Sequence, residues 1–532
     1  MKNIKFIYLI LLALLAVSCD DFLDETPDNR AEVDSQTKIR KLLVSAYPTG
    51  NYGLACELSS DNIMDMGESN PYSDRLLEQM ANWVDVTETD NDDLKSIWEN
   101  AYSAIAHSNQ ALDAIAELGE DNLLAEKGEA LITRAYSHFV LVNVFCKHYD
   151  PATSSTDLGI PYMEKSETSL NPQYERGTVK EVYEKINTDI EAALPLISDD
   201  MYEIASYYFT QKAAYAFAAR FNLYYEQWQK AVDYASEVIS TNPTSSIRDW
   251  SELGSLPRDP DVVTNAYISD PANLLAIPTT SSLGIIFGAY YTGSRFNHSA
   301  AVASETLWAP TPWDYDDESG ISTNNYLFRP FVYSGTNLDK SLLYKIPYMF
   351  EYTDPVAGIG YHKSVMIPFT TDETLLVRAE ANTMLGNNTE ALNDINDWTR
   401  NFYLGIAQDG EGNNSYYYAE TTLEKVNELY NALPYASENT FSSKKKLNPA
   451  FTVQAGTQEN LLHYVLQCRR VLTIHEGLRW FDIKRYGIEV VRYQLQPNGS
   501  LKTLDVLGTD DERRALQLPK DVISAGIEAN PR

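Results

Sequence analysis

The chain has 532 residues, 44% hydrophobic and 22% charged, enough apolar material for one large core or for two to three ordinary ones. Its 75 acidic residues outnumber 42 basic ones and leave a net charge of −33. Such a surface repels phosphate backbones and anionic lipid, which argues against nucleic acid as a partner and against direct adsorption to a membrane.

Lys2 and Lys5 precede an unbroken apolar run from Phe6 to Val17, closed by Ser18 and Cys19. A helix of that length rises about 18 Å, short of a hydrocarbon core of about 30 Å, which predicts a signal peptide over 1–18 rather than a spanning helix. Leu15-Ala16-Val17-Ser18-Cys19 resembles a lipobox, with Ala16 where Leu is usual, and makes Cys19 the expected acylated N-terminus of the mature protein. No other run approaches about 18 apolar residues, so the acyl chains are the only expected membrane attachment. Residues 19–40 read as the lipid anchor and its tether, solvated by Asp20, Asp21, Asp24, Glu25 and Asp28. Cys56, Cys146 and Cys468 are too few for a disulfide framework and are not spaced like a zinc site; they read as buried free thiols.

The body is predicted to be helical. Ile97, Tyr102, Ile105, Ala106, Leu112 and Ile115 recur at three- and four-residue spacing, and Ala130, Leu131, Ala135, Phe139, Val142 and Phe145 continue the pattern. Thr178-Val179-Lys180-Glu181 is a capping box that opens a third helix along Val182, Ile186, Ile190 and Leu194. Residues 210–240 are again helical, with a joint at 227–231. Thr370-Thr371-Asp372-Glu373 caps a later helix, Gly386 ends it, and Ala391-Leu392 opens its partner. This is the grammar of tetratricopeptide-like pairs, with further irregular pairs over 95–148, 178–240 and 457–487. The fold class is therefore mainly α, with a large loop-rich insertion at about 241–369.

The insertion points to a ligand. Between Phe287 and Tyr352 it holds eight Tyr and two Trp in 66 residues, about twice their density in a chain with 36 Tyr and 8 Trp overall. From Pro271 to Trp313 the only charged residues are Arg295 and Glu305. Aromatic faces on loops among amides suit an uncharged polyhydroxylated ligand, although each ring taken singly is as readily a packing residue. Catalytic motifs do not appear: there is no Gly-x-Ser-x-Gly elbow, no His-Glu-x-x-His and no phosphate loop. Asp90-Asn91-Asp92-Asp93 begins like a calcium loop, but Leu94 and Lys95 stand where a ligand and the turn glycine belong.

Several segments resemble the SusD/RagB family. Glu129-Ala130 with Arg134-Ala135 and Phe139 is similar to the family's "E-A-x-x-x-R-A-x-x-x-F" helix, and Arg378-Ala379-Glu380-Ala381 with Gly386 to its later repeat. The most specific match is Glu476-Gly477-Leu478-Arg479-Trp480-Phe481-Asp482-Ile483-Lys484-Arg485-Tyr486-Gly487, close to "E-x-x-R-W-F-D-x-x-R-x-G". Asp20-Asp21 after the lipobox also fits, as does the tail from Leu516 to Pro531. The resemblance implies a lipid-anchored protein of the outer membrane, exposed at the cell surface, that is not an enzyme and has no cofactor and no metal site. It implies capture of a glycan and delivery to a SusC-like TonB-dependent transporter, with a helical part over 41–245 and a loop-bearing part over 246–532. Within the motif, Trp480 and Phe481 are expected to pack the core. The family's ligand residues lie on variable loops, which directs attention to Asp61, Asn62 and Trp83 early in the chain. In the insertion the candidates are Tyr290, Tyr291, Arg295, Trp308, Trp313 and Tyr315. A peptide-capturing member of the same family, a periplasmic tetratricopeptide-type scaffold for proteins, and a glycosidase remain as alternatives.

Overall fold

The computed structural model describes residues 33–68, 70, 74–169, 173–288, 294–314, 332–335, 340–408 and 414–532. Its long helices are α1 (Leu94–Leu118), α2 (Leu124–Phe145), α3 (Val179–Ala193), α4 (Gln211–Tyr224), α5 (Trp228–Val238), α6 (Thr371–Leu385), α7 (Asn388–Phe402), α8 (Leu423–Ala432), α9 (Thr457–Leu472) and α10 (Leu478–Arg485). Neighbours in sequence pack as pairs: α1 on α2, α4 on α5, α6 on α7, α8 on α9. Helix α6 also lies against α5 and α9 and so stitches the early pairs to the late ones.

Local chemistry sets the helix ends. Asp93, from the run that begins like a calcium loop, caps α1 by accepting the Ser96 N–H at 2.6 Å. Thr178 and Glu181 form the capping box at the start of α3, and Thr370 caps α6 by accepting the Glu373 N–H. Gly386 ends α6 in the left-handed region at φ +81°, which glycine adopts without a Cβ penalty. Gly477 lies at φ +79°, and a Cβ there would meet Gly53 O and Cys56 Cβ at 2.9 Å.

The stretch expected to be an irregular insertion carries more order than its sequence predicts. Short helices span Trp250–Ser255, Pro260–Ser269, Leu283–Phe287 and Ala300–Ala303. Strands β2 (Asn273–Thr280), β6 (Met349–Asp354) and β7 (Ile359–Thr370) form a sheet in the order β2-β7-β6, and β7 runs directly into α6. A second sheet joins distant parts of the chain. Its β1 (Met64–Asp65) pairs with β3 (Phe296–Asn297) on one side and with β10 (Val490–Leu495) on the other, and β11 (Leu501–Leu507) extends it.

One hydrophobic cluster runs from Tyr47 to Leu518, so both halves of the chain share a core. Trp480 is fully buried and Phe481 nearly so, as expected, and Cys56, Cys146 and Cys468 are buried and free. Much of the tyrosine excess is interior. Tyr136 packs edge-on against Phe209, Phe217 and Phe369, while the hydroxyls of Tyr47 and Tyr486 donate to Glu129 and Glu380 at 2.8 and 2.7 Å.

Beneath the helices lies a closed charge network. Arg469 of α9 reaches Glu373 at 3.1 Å, Glu380 at 3.3 Å and Asp482 at 3.5 Å. Arg485 reaches Glu380 at 2.8 Å and Asp482 at 2.7 Å, and Arg220 of α4 reaches Glu373 at 3.0 Å. Three arginines thus balance three carboxylates, all six side chains at most 5% exposed. Burial alone would raise the Asp482 carboxyl, but Arg469 and Arg485 hold it below its usual range. Asp482→Asn leaves two buried guanidinium groups short of a partner and is expected to cost about 3–5 kcal/mol in chemical denaturation at pH 7. Because the folded-state value is depressed, this contribution is present above about pH 4 and is lost as pH falls through the folded value. The gap between wild type and variant should therefore shrink below about pH 4, and a gap that stays constant there would contradict the assignment.

Candidate functional site

Four segments far apart in sequence converge on a cleft of about 260 Å³. The turn after the helix Gly53–Ser59 supplies Asp61 and Ile63, and the segment that opens with Ala300–Ala303 supplies Val302 and Glu305. Residues 436–448 supply Ser437, Glu438, Phe441, Lys445 and Lys446, and the start of β10, with the turn before it, supplies Glu489, Val491 and Tyr493.

The inner wall neutralises its own charges. Asp61 accepts a two-pronged contact from Arg479 at 2.8 and 2.9 Å and lies 3.5 Å from Arg470. Glu305 takes Lys445 at 2.6 Å, Arg470 at 3.3 Å and the Ser442 N–H at 3.0 Å. Burial would raise the Asp61 carboxyl, but Arg470 and Arg479 hold it well below the usual carboxylate range. Burial also lowers the Lys445 ammonium, against the pull of Glu305. A layer behind the wall fixes these groups. Arg470 Nε donates to Asn62 Oδ1 at 2.9 Å, and His298 Nδ1 donates to Asn62 O at 2.9 Å. His298 is held neutral by burial, its value lowered to about 3. The cleft's aromatic surface comes from Phe441 and Tyr493, half-buried rings with centroids 5.2 Å apart, beside the aliphatic Ile63, Val302 and Val491. The Tyr493 hydroxyl donates to the carbonyls of Ser437 and Glu438 at 3.2 and 3.0 Å, which holds residues 437–438 to β10.

The segment that lends Val302 and Glu305 to the cleft continues into an aromatic patch. Trp313 lies 4.9 Å from Tyr403, centroid to centroid, and its neighbour Asp314 accepts the Tyr417 hydroxyl from β9 (Asn414–Tyr418). Burial raises the Asp314 carboxyl. Tyr417 is 37% exposed and Tyr418 72%.

The candidates drawn from sequence separate accordingly. Asp61 lines the cleft, and Trp313, half-buried and packed against the main core, stands beside Tyr403. Asn62 and Trp83 do not present ligand surface. Asn62 is fully buried between Glu57 and Arg470, and Trp83 is 5% exposed, with its indole N–H donated to Ser59 O at 2.9 Å and Arg492 over its ring. The Trp83 backbone lies in the left-handed region at φ +52°. Arg295 is a tie, two-pronged on Asp65 at 2.7 and 2.9 Å and bonded to Glu78 at 2.8 Å. Trp308 is half-buried and packs against the main core. Cys19, Tyr290, Tyr291 and Tyr315 lie outside the described residues. The sequence reading did not single out Phe441, Lys445 and Tyr493 of the cleft or the exposed Tyr417, while Tyr403 beneath Trp313 is a buried core ring. The visible signals were the lysine run 444–446, the only such run in a strongly acidic chain, and the tyrosine run 416–418.

Among the described residues no helix is long and apolar enough to cross a membrane. Residues 21–223 match the SusD-like family described as starch-binding and associating with the outer membrane. SusD-like protein P38 of Formosa agariphila is 21% identical over 515 residues, covering 91% of each chain. SusD-like protein P2 of the same organism is 22% identical, covering 94% of this chain and 93% of its own. Among solved structures, a SusD superfamily protein of Bacteroides thetaiotaomicron superposes with a TM-score of 0.64 at 18% identity, covering 93% of this chain and 99% of its own. A putative sugar binding protein of Bacteroides vulgatus gives a TM-score of 0.62 at 16% identity, covering 94% and 99%. With its helical pairs and its charged motif at 476–487, the chain is similar to SusD-like proteins along nearly its whole length, and the family model itself matches residues 21–223.

Proposed function

We propose that this chain is a carbohydrate-binding protein of the outer membrane, anchored through Cys19 at the cell surface, that captures glycan and passes it to a TonB-dependent transporter. The observation that carries the reading is the cleft, where Phe441 and Tyr493 stand beside carboxylates already satisfied by Arg470, Arg479 and Lys445. Such a wall offers hydrogen-bonding edges to sugar hydroxyls without an unpaired buried charge. The family description and the sugar-binding title of a structural relative point the same way. Glycoside hydrolysis needs a carboxyl group kept protonated as general acid, and Asp61, locked as an anion by two arginines, is unsuited to that role. On this reading residues 41–245 are mainly scaffold, and 246–532 carry most of the binding surface, with Trp313 and Tyr417 as a further candidate ring contact outside the cleft.

A calorimetric screen of the soluble domain against oligosaccharides and peptides tests the class of ligand, and saturable binding of peptides alone would overturn it. Ring stacking on a base is worth about 1–3 kcal/mol, and a sugar, lacking a π-face, falls at the low end. Tyr493→Ala and Trp313→Ala are each expected to weaken glycan binding about tenfold, or about 1.4 kcal/mol, with far-ultraviolet dichroism unchanged. Wild-type affinity in both variants would move the site elsewhere.

Anchoring has its own test. Cys19→Ala removes the only thiol of the lipobox and should shift the protein from the membrane pellet to the soluble or uncleaved precursor fraction. Unchanged sedimentation with the outer membrane would refute a lipid anchor at Cys19.

A further inference from the structure

Counted together, the cleft's four acids, Asp61, Glu305, Glu438 and Glu489, balance Arg470, Arg479, Lys445 and Lys446, but its rim alone has acid to spare. Inside it, Asp61 and Glu305 are matched by Arg479, Arg470 and Lys445, so no cation of the inner wall is left to receive an anion from a ligand. Among its lining residues the exposed charges are the acids Glu438 and Glu489 and the one cation Lys446. Tyr493 stands among these groups and registers their field. Burial first, then the carboxylates of Glu305, Glu438 and Glu489, push its hydroxyl up to about 12. Beyond the cleft the whole chain carries −33, so nothing at longer range offsets the local sign.

A carboxylate or sulfate on an incoming sugar would displace water from a rim where acids outnumber bases, and would find the inner guanidinium groups already occupied. An uncharged sugar loses nothing there: its hydroxyls can donate to Glu438 and Glu489 while its C–H face lies on Phe441 or Tyr493. We propose that this cleft, taken as the glycan site argued above, selects uncharged glycans and rejects anionic ones through Glu438 and Glu489. Like-charge contacts of this kind act by excluding wrong partners rather than by tightening the right one. The effect is carried by exposed groups, so it fades with salt as the screening length falls from about 8 Å at physiological ionic strength towards about 3 Å at 1 M.

The test compares matched pairs. Maltoheptaose, laminarihexaose, mannohexaose and β-1,4-galactohexaose are each titrated beside a form whose primary hydroxyls have been oxidised to carboxylates. At least one neutral sugar is expected to bind, with its oxidised form about tenfold weaker or worse at low salt. In the Glu438→Gln/Glu489→Gln variant that ratio should narrow at least about threefold, and raising the salt should narrow it likewise in wild type. Both substitutions are at exposed positions, and dichroism with the melting temperature checks that the variant folds. An oxidised form that binds as tightly as its parent, or a ratio indifferent to both substitutions and salt, overturns the proposed selectivity while leaving glycan binding intact. If none of the eight sugars binds, the glycan reading of the cleft falls, and the selectivity falls with it.

Discussion

Arg469 sits where α4, α6, α9 and α10 meet, and a guanidinium buried that deeply is tolerable only if carboxylates surround it on several sides. Its partners Glu373, Glu380 and Asp482 are themselves shared with Arg220 and Arg485, so no pair can be moved without stranding another charge. Apolar packing alone would let helices slide by a fraction of a turn at modest cost. A closed network of directed contacts does not, and it fixes the azimuth of α10 relative to α9 and α6. That azimuth decides where the remaining arginines point. Arg479, on the same short helix, emerges at Asp61, and Arg470, next to Arg469 on α9, emerges between Asp61 and Glu305. The geometry of the cleft wall is thus inherited from the geometry of the core.

The same reasoning explains the tyrosines. A helical scaffold with so many polar cross-ties needs side chains that fill volume and also reach a carboxylate. Tyr47 to Glu129, Tyr267 to Glu476 and Tyr486 to Glu380 do both, and a phenylalanine would leave each acid one donor short. Along α4 the sequence instead turns to alanine, with Ala213, Ala214, Ala216, Ala218 and Ala219 all buried. Composition alone left two readings of the excess open, interior or ligand platform. The interior takes many of these rings, and the exposed ones, among them Tyr174, Tyr207, Tyr352, Tyr361, Tyr418 and Tyr435, are scattered over separate segments.

What was legible in the sequence follows from range. The helices could be read because their signals are local: the Thr178 box, the Thr370 cap, the Gly386 stop and the apolar stripes between them. Strand β2 could not, because five of its first six residues are buried, so it lacks the two-residue alternation that marks a half-exposed strand. The motif at 476–487 was recognised, yet its rings drew the attention while its charges hold the fold. Nothing in the order Arg-Trp-Phe-Asp says that Arg479 will meet Asp61, which lies 418 residues away in the chain. The cleft suffered most from this. Asp61, Glu305, Lys445 and Tyr493 belong to no local pattern and become a site only through β1, β10 and the helix network that brings them together.

If the cleft captures glycan for transfer, as proposed above, it faces a constraint that an inhibitor's site does not. Were Asp61 unpaired, a cationic or strongly hydrogen-bonding ligand would gain a large electrostatic return from a partly buried carboxylate and would leave slowly. With Arg479 and Arg470 already in place, that return has been taken up internally, and a ligand is offered ring faces and second-choice hydrogen bonds. The lock also removes the need to order the wall on binding, because Asn62, His298 and Arg470 hold it before any ligand arrives. On the proposed reading, low gain together with low reorganisation would give moderate affinity with fast exchange, which suits capture followed by transfer. The core network therefore bears on function through rigidity: it sets a wall that is complete without ligand and that gives up little when ligand departs.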